Sequence, residues 1–297
     1  MSGMRGFWFS VWISFMFLSA WAIAQNTGAP QLSPEELVRA AAGNEVAAAN
    51  ASGIRHMFRS RKQTPKGSQT KLYIETNDAL AARLIAINDQ PLTAEQKQAE
   101  VNHLAWLVGN PDALRKKHAR EKEDADRTLR IVKALPDAFL YDYVDTENSD
   151  ATLGKPGSQV VRLKFRPNPS YSPPSRVEQV LGGMQGFLLI DASEKRLAEI
   201  DGTLFRDITF GWGIIGHLDK GGHFLVKQAD VGEGSWQITE MKLDITGKIL
   251  LFKSLKMESD EVFSDFQRVP GNLTFAQGVQ MLEKEEQKRA SEAMHRP

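Results

Sequence analysis

The sequence contains no cysteine. Thiol catalysis, Cys-ligated zinc and iron–sulfur clusters are therefore excluded. So is the lipid-modified cysteine of a bacterial lipoprotein. A chain of 297 residues can bury a core without disulfides. Net charge is also missing, since 37 Lys and Arg balance 37 Asp and Glu. That balance gives no electrostatic footprint for nucleic acid. The basic stretch Arg115, Lys116, Lys117 and Arg120 is followed at once by Glu121, Glu123, Asp124 and Asp126. It reads as a solvated helix face.

Catalytic signatures are absent too. No serine sits in a G-x-S-x-G elbow. His217 and His223 flank a hairpin turn without a third ligand at metal spacing, and His118 lies in a charged segment. Carboxylate pairs such as Asp124 and Asp126 fall on an exposed face. No catalytic residue, cofactor or metal site is assigned, and the chain is read as a non-enzyme.

What is there begins with one long apolar run, Gly6 to Ala24, "GFWFSVWISFMFLSAWAIA", preceded by Arg5 as its only charge. It ends in Ala22-Ile23-Ala24, a small-x-small cleavage pattern, and polar "QNTG" follows. This reads as a secretory signal cleaved after Ala24, with an uncleaved anchor as the other reading. The expected compartment is the periplasm or the exterior, with no integral membrane segment after cleavage.

The remainder, residues 25–297, reads as one β-rich domain. Ser33-Pro34-Glu35-Glu36 is a capping box and predicts a helix over about 34–50. Thr70, Leu72, Ile74 and Thr76 alternate with Lys71, Tyr73 and Glu75, which predicts a strand. Neighbouring strands are expected over Arg55–Arg61 and Ala81–Ile87. A second capping box at Thr93–Gln96, then Asn110-Pro111, predicts a charged helical hairpin over about 94–135. Val161, Leu163 and Phe165 alternate with Arg162, Lys164 and Arg166. "RPNPSYSPPSR" follows as an extended loop. From Phe187 onward, turn signals recur every ten to fifteen residues, the mark of an antiparallel meander. Thr274 and Gln277 open a last helix, about 275–292.

"FGWGIIGHLDKGGHF", Phe210 to Phe224, contains G-x-G-x-x-G. A dinucleotide site needs a long helix after those glycines. Here Gly221-Gly222 makes a hairpin turn instead, so nucleotide binding is rejected. The segment is read as an extended strand. Gly211 and Gly213 form a bare strip on one face, expected where the sheet bends or where a backbone or helix, the alanine-rich first helix being one candidate, approaches closely.

The strands carry a heavy apolar load: Phe165, Phe187, Leu189, Phe205, Phe210, Trp212, Phe224, Trp236 and Phe252. Each can be core, and together they can line a cavity for an apolar ligand.

Two runs carry a resemblance: "GSQTKLYIETNDALAARLIAIN", and "GFLLIDASEKRLAEIDG" continuing to "GGHFLVKQADVGEGSWQITEMKLDITGKILLFKSLKMES". In strand order and turn placement the chain resembles the LolA/LolB/RseB-like half-barrels, the outer-membrane lipoprotein-sorting type, over about 53–90 and 158–270. The resemblance implies an α+β fold: a strongly curved antiparallel half-barrel packed with helices. The hairpin would be an insertion. It also implies an exported, non-enzymatic protein that binds a lipid, acyl group or lipidated partner. No site residue is carried over. Two other readings stay open. One is an envelope interaction module docking through the hairpin or the proline loop 167–174, and the other is a hydrolase with a dispersed site.

Overall fold

The computed structural model describes residues 32–51, 53–211, 215–249 and 253–294. The chain opens with α1 (Pro34–Asn50), whose capping box joins Ser33 and Glu36 as expected. β1 (Arg55–Thr64), β2 (Gly67–Ile74), β3 (Ala81–Ile87) and the short β4 (Gln90–Pro91) form a meander. The hairpin follows as α2 (Ala94–Gly109) and α3 (Pro111–Ala138). α3 continues through Pro136, three residues further than the expected end.

β5 (Phe139–Asn148) and β6 (Gln159–Pro167) come next. The proline loop then gives way to a short helix, α4 (Arg176–Gln179), and a 3₁₀ turn, Val180–Gly183, neither of which the sequence had suggested. β7 (Met184–Asp191), β8 (Leu197–Leu204), β9 (Ile208–Phe210), β10 (Gly216–Leu218) and β11 (His223–Asp230) follow. Two long strands, β12 (Trp236–Ile249) and β13 (Lys253–Val269), and the helix α5 (Phe275–Met294) complete the chain.

All strands join one antiparallel sheet in the order β4-β3-β2-β1-β13-β12-β11-β8-β7-β6-β5, with β10 and β9 branching from β12. The sheet does not close. It must curl, however, for a reason of length. From β3 to β5 the path takes nine inter-strand steps, about 43 Å along the sheet. α3 links the same two strands more directly. Glu121 of α3 accepts a hydrogen bond from Leu80 N–H at the start of β3 (3.0 Å), and Ala138 runs straight into β5. The helix rises about 26 Å between those two residues. The chord is shorter than the arc, so the sheet is a half-barrel with α3 across its concave, inner side.

Two main cores sit at the two ends of this sheet. At the β5–β8 end, Leu163, Phe165, Leu188 and Leu204 on the inner face pack under α1 and the last turns of α3. Alanines at 41 and 42 let α1 lie close. Glu45 of α1 accepts hydrogen bonds from Nε and Nη2 of the Arg196 guanidinium, at 2.7 and 2.8 Å. At the β1–β3 end, Leu72 and Ile74 face outward and pack under α5, with Phe275, Val279 and Leu282. Leu104 and Leu107 of α2 join that core by wrapping the β3 edge.

The edge itself is capped. Glu100 of α2 accepts from Leu84 N–H (2.9 Å), as Glu121 does from Leu80. An unpaired strand edge is an aggregation hazard, and these two carboxylates satisfy N–H groups that the short β4 leaves free. The opposite edge, β5, carries Asp142, Asp145 and Glu147 and a bulge near Val144, which serve the same purpose.

The segment Phe210–Leu218 is not one extended strand. β9 and β10 pair as a hairpin, Phe210 opposite Gly216. Gly211 sits in the turn with φ +56°, where the absence of a Cβ matters, and the nearest atoms to such a Cβ belong to Ile215. A strand would need negative φ there, so the extended reading is corrected at Gly211 to a turn. α1 packs mainly on α3, β5, β7 and β8. Gly213 and Trp212 lie outside the described residues, as do Phe252 and the whole N-terminal run with Ala24. Gly216 opens a strand rather than a helix, which agrees with rejecting the nucleotide fingerprint.

Candidate ligand-binding face

The central strands β11, β12 and β13 pack mainly against other strands. Their two faces differ because side chains alternate along a strand. The outer face carries charge. Lys227 lies 3.1 Å from Glu240 and 3.9 Å from Glu199. Lys242 lies 2.7 Å from Glu240 and 3.7 Å from Asp260. His223 Nε2 is 2.8 Å from Asp201. The hydrogen bond from Lys242 holds the Glu240 carboxyl below its ordinary value. Burial pushes Glu199 up, against the pull of Lys227. This face is paired nearly throughout.

The inner face of β11 and β12 is apolar, and on β13 Leu255 and Met257 continue it beside Ser259 and Glu261. Cross-strand register places Val226 opposite Met241 and Phe224 opposite Leu243. Ile245 stands opposite Met257. Leu243, Ile245 and Leu255 are half-buried, while Met241 and Met257 are 38% and 45% exposed. Val226 and Phe224 continue this strip into the covered core through Ile200 and Gly202. Gly202 is required there, since a Cβ would strike the Phe224 ring.

On the other side, an aromatic band leads toward the hairpin. Phe58 stacks on Tyr73 at 5.2 Å and meets Phe263 and Phe266 at 6.1 and 5.5 Å. Burial, then the carboxylates of Glu261 and Glu121, push the Tyr73 hydroxyl up to about 12. Glu121 belongs to α3, so the band runs beneath that helix.

The band ends at a cavity of about 660 Å³ between the inner face of β2–β3 and the hairpin. That volume lies within the range of small-molecule sites. Ala82, Leu84, Leu104 and Trp106 give it apolar wall; Lys71, Lys116 and Arg120 give it charge. Trp106 is 54% exposed and stacks near His103 at 6.3 Å. Among the described residues no group of three or more His, Asp or Glu is placed to hold a metal ion.

The apolar residues singled out in the sequence do not gather in one place. Phe165 and Phe224 line a second cavity, with Tyr141, Leu181, Leu188 and Ile200, but it holds only about 40 Å³. That is room for about one water molecule, not for an acyl chain. Phe210 packs against the same core. Phe187 and Leu189 face outward: Leu189 is buried with Val160 and Ala198, and Phe187 lies under the Arg162 guanidinium at 5.8 Å. Phe205 and Trp236 are half-buried beneath Arg206 and Arg196, at 5.6 and 5.2 Å. Trp212 and Phe252 lie outside the described residues.

Sequence reasoning missed Met241, Met257, Leu243, Phe58 and the cationic cavity. The alternation of Met241, Leu243 and Ile245 with Lys242 and Asp244 was the available signal.

No protein-family model matches the chain, and no curated protein matches it. The likeness to LolA-type half-barrels therefore rests on strand order and turn placement alone. Among the described residues no helix is long and apolar enough to cross a membrane.

Proposed function

We propose that the chain is an exported, non-enzymatic carrier that holds a lipid or acyl chain on the inner face of the half-barrel. The observation that carries this reading is the strip Met241–Leu243–Ile245 with Leu255 and Met257. It is apolar and partly exposed on the inner side of the sheet, and among the described residues its strands β12 and β13 make their strong contacts with other strands. Long alkyl groups suit such a surface, because burying apolar area is non-directional and methionine adapts to varied shapes. Native mass spectrometry after gentle purification should show co-purified lipid. A protein that carries none and fails to bind fluorescent fatty-acid probes would overturn the reading. Export is tested separately: the mature protein should begin at Gln25.

A second reading is favoured by one observation. Trp106 and Val108, 54% and 42% exposed, stand near the hairpin tip, where an envelope protein could dock. Deleting the hairpin would be a poor test, since Glu100, Glu121, Leu104 and Leu107 support the β3 edge and its core. The cleaner test is Val108→Glu, which lies off the cavity wall and should abolish a pull-down partner while leaving lipid content unchanged. An unaltered partner list would reject it.

A further inference from the structure

We infer that the 660 Å³ cavity under the hairpin takes the anionic end of the carried molecule, so that the ligand is a long-chain alkyl acid and not a neutral lipid. This rests on the carrier reading and names its ligand class. The argument is one of unused charge. Three carboxylates and four Lys or Arg side chains line the cavity, together with His103. Each carboxylate is already engaged. Glu100 accepts from Leu84 N–H, Glu121 from Leu80 N–H and Lys117, and Asp124 from Arg127. Of the cations only Lys117 is paired. Lys71, Lys116 and Arg120 have no hydrogen-bond or ion-pair partner among the described residues.

Their placement is convergent. Lys116 and Arg120 lie one turn apart on α3 and share a face. Lys71 rises from the inner face of β2 below them, half-buried between Ser60 and Leu84. A carboxylate or phosphate between helix and strand would meet donors from both, and charge-assisted hydrogen bonds are the strong ones.

The apolar part also fits. Gln69 of the cavity wall shares a cross-strand row with Lys62, Glu261 and Met241. Three strand steps separate cavity from strip, about 14 Å. Lys62 and Glu261 pair with each other at 3.2 Å, so this step of the row is neutralised. Tyr73, Phe58 and Phe263 supply apolar surface beside it. An alkyl chain anchored at Lys71 and Arg120 would cross this band onto the Met241–Met257 strip.

The test is competition against a fluorescent fatty-acid probe on the full chain at pH about 8, where a carboxylic acid is ionised. The competitors are dodecanoate, dodecanol, acetate and inorganic phosphate. Dodecanoate should compete about tenfold better than dodecanol, as expected for charge-assisted contacts. Acetate and phosphate should not compete. The triple variant Lys71→Gln, Lys116→Gln, Arg120→Gln should bind dodecanoate no better than dodecanol, with dodecanol unchanged.

Equal competition by acid and alcohol in the unmodified protein would overturn the inference while leaving the carrier reading intact. A triple variant that keeps the preference would also overturn it. So would competition by phosphate alone, which would mean a free-anion site. Failure of both long-chain competitors and of the probe itself would sink the carrier reading and this inference with it.

Discussion

The two faces of β11–β13 are built from alternate residues of the same strands, yet only one of them is complete. Outward, Lys227, Glu240, Lys242 and Asp260 form a chain of ion pairs in which one Asp260 oxygen alone lacks a hydrogen bond. Inward, Met241, Leu243, Ile245 and Met257 stay half-buried or exposed, and among the described residues β12 and β13 make their strong contacts with strands alone. A sheet face with its charges paired needs nothing more from the rest of the protein. An apolar face half in water is a cost that a sheet of this size could have avoided by extending α1 across it. The difference marks the inner face of the centre, not the sealed ends, as the place to look for function.

The comparison can be broken first where the inner face is covered. Leu188 is 1% exposed beneath α1 and α3. Leu188→Ala should cost about 2–5 kcal/mol in chemical denaturation. A cost near zero would mean that the covered end is as loose as the centre, and the contrast would vanish.

Asp191 sharpens the outer side, where the loop 149–158 covers β7. Its carboxylate accepts from Ser158, Ser193, and the N–H groups of Lys155, Ser193 and Glu194. Burial pushes its pKa up, but these donors outweigh burial and hold the carboxyl below its ordinary value. A depressed folded pKa gives stability that is present above the unfolded value and lost as pH falls through the folded one. The loss should therefore show below pH about 4 in acid titration of stability. Asp191→Ala should cost about 1–3 kcal/mol at neutral pH, because it strands buried donors, and should flatten that acid limb.

Lys227→Met tests the charged face itself. It leaves half-buried Glu199 and Glu240 short of a partner, for a loss of about 1 kcal/mol at most, given partial exposure. A gain in stability would show the outer pairing to be ornamental.

Much of this fold was readable from the chain. Capping boxes at Ser33, Thr93 and Thr274 placed three helix starts, because their side chains are committed to the first turn whatever the tertiary context. Period-2 alternation placed β2 and β6. What could not be read is which strands meet across long separations: β1 pairs with β13, and no local pattern encodes that. Bulges were a second obstacle. Extra residues in β8 and near Asp265, where φ is +58°, shift the alternation, so parity counted from one end assigns the wrong face at the other. The site was missed for a related reason. Aromatic and aliphatic bulk drew the choice of residues toward Phe165 and Leu189, which are core, while the exposed strip holds methionine beside its aliphatic residues. Gly211 misled through its spacing with Gly213, since a turn glycine and a strand glycine look alike in sequence.

The most direct measurement compares exposed apolar residues on the two faces. Met241→Lys with Met257→Lys alters the inner face, and Phe187→Lys with Val262→Lys alters the outer one. All four side chains are partly exposed, so each pair should shift stability by less than about 0.5 kcal/mol per site. In titration with a fluorescent fatty-acid probe, the inner pair should weaken binding at least about tenfold, and the outer pair should leave it unchanged. Equal losses from both pairs, or binding indifferent to either, would contradict the assignment of the inner face as the ligand surface.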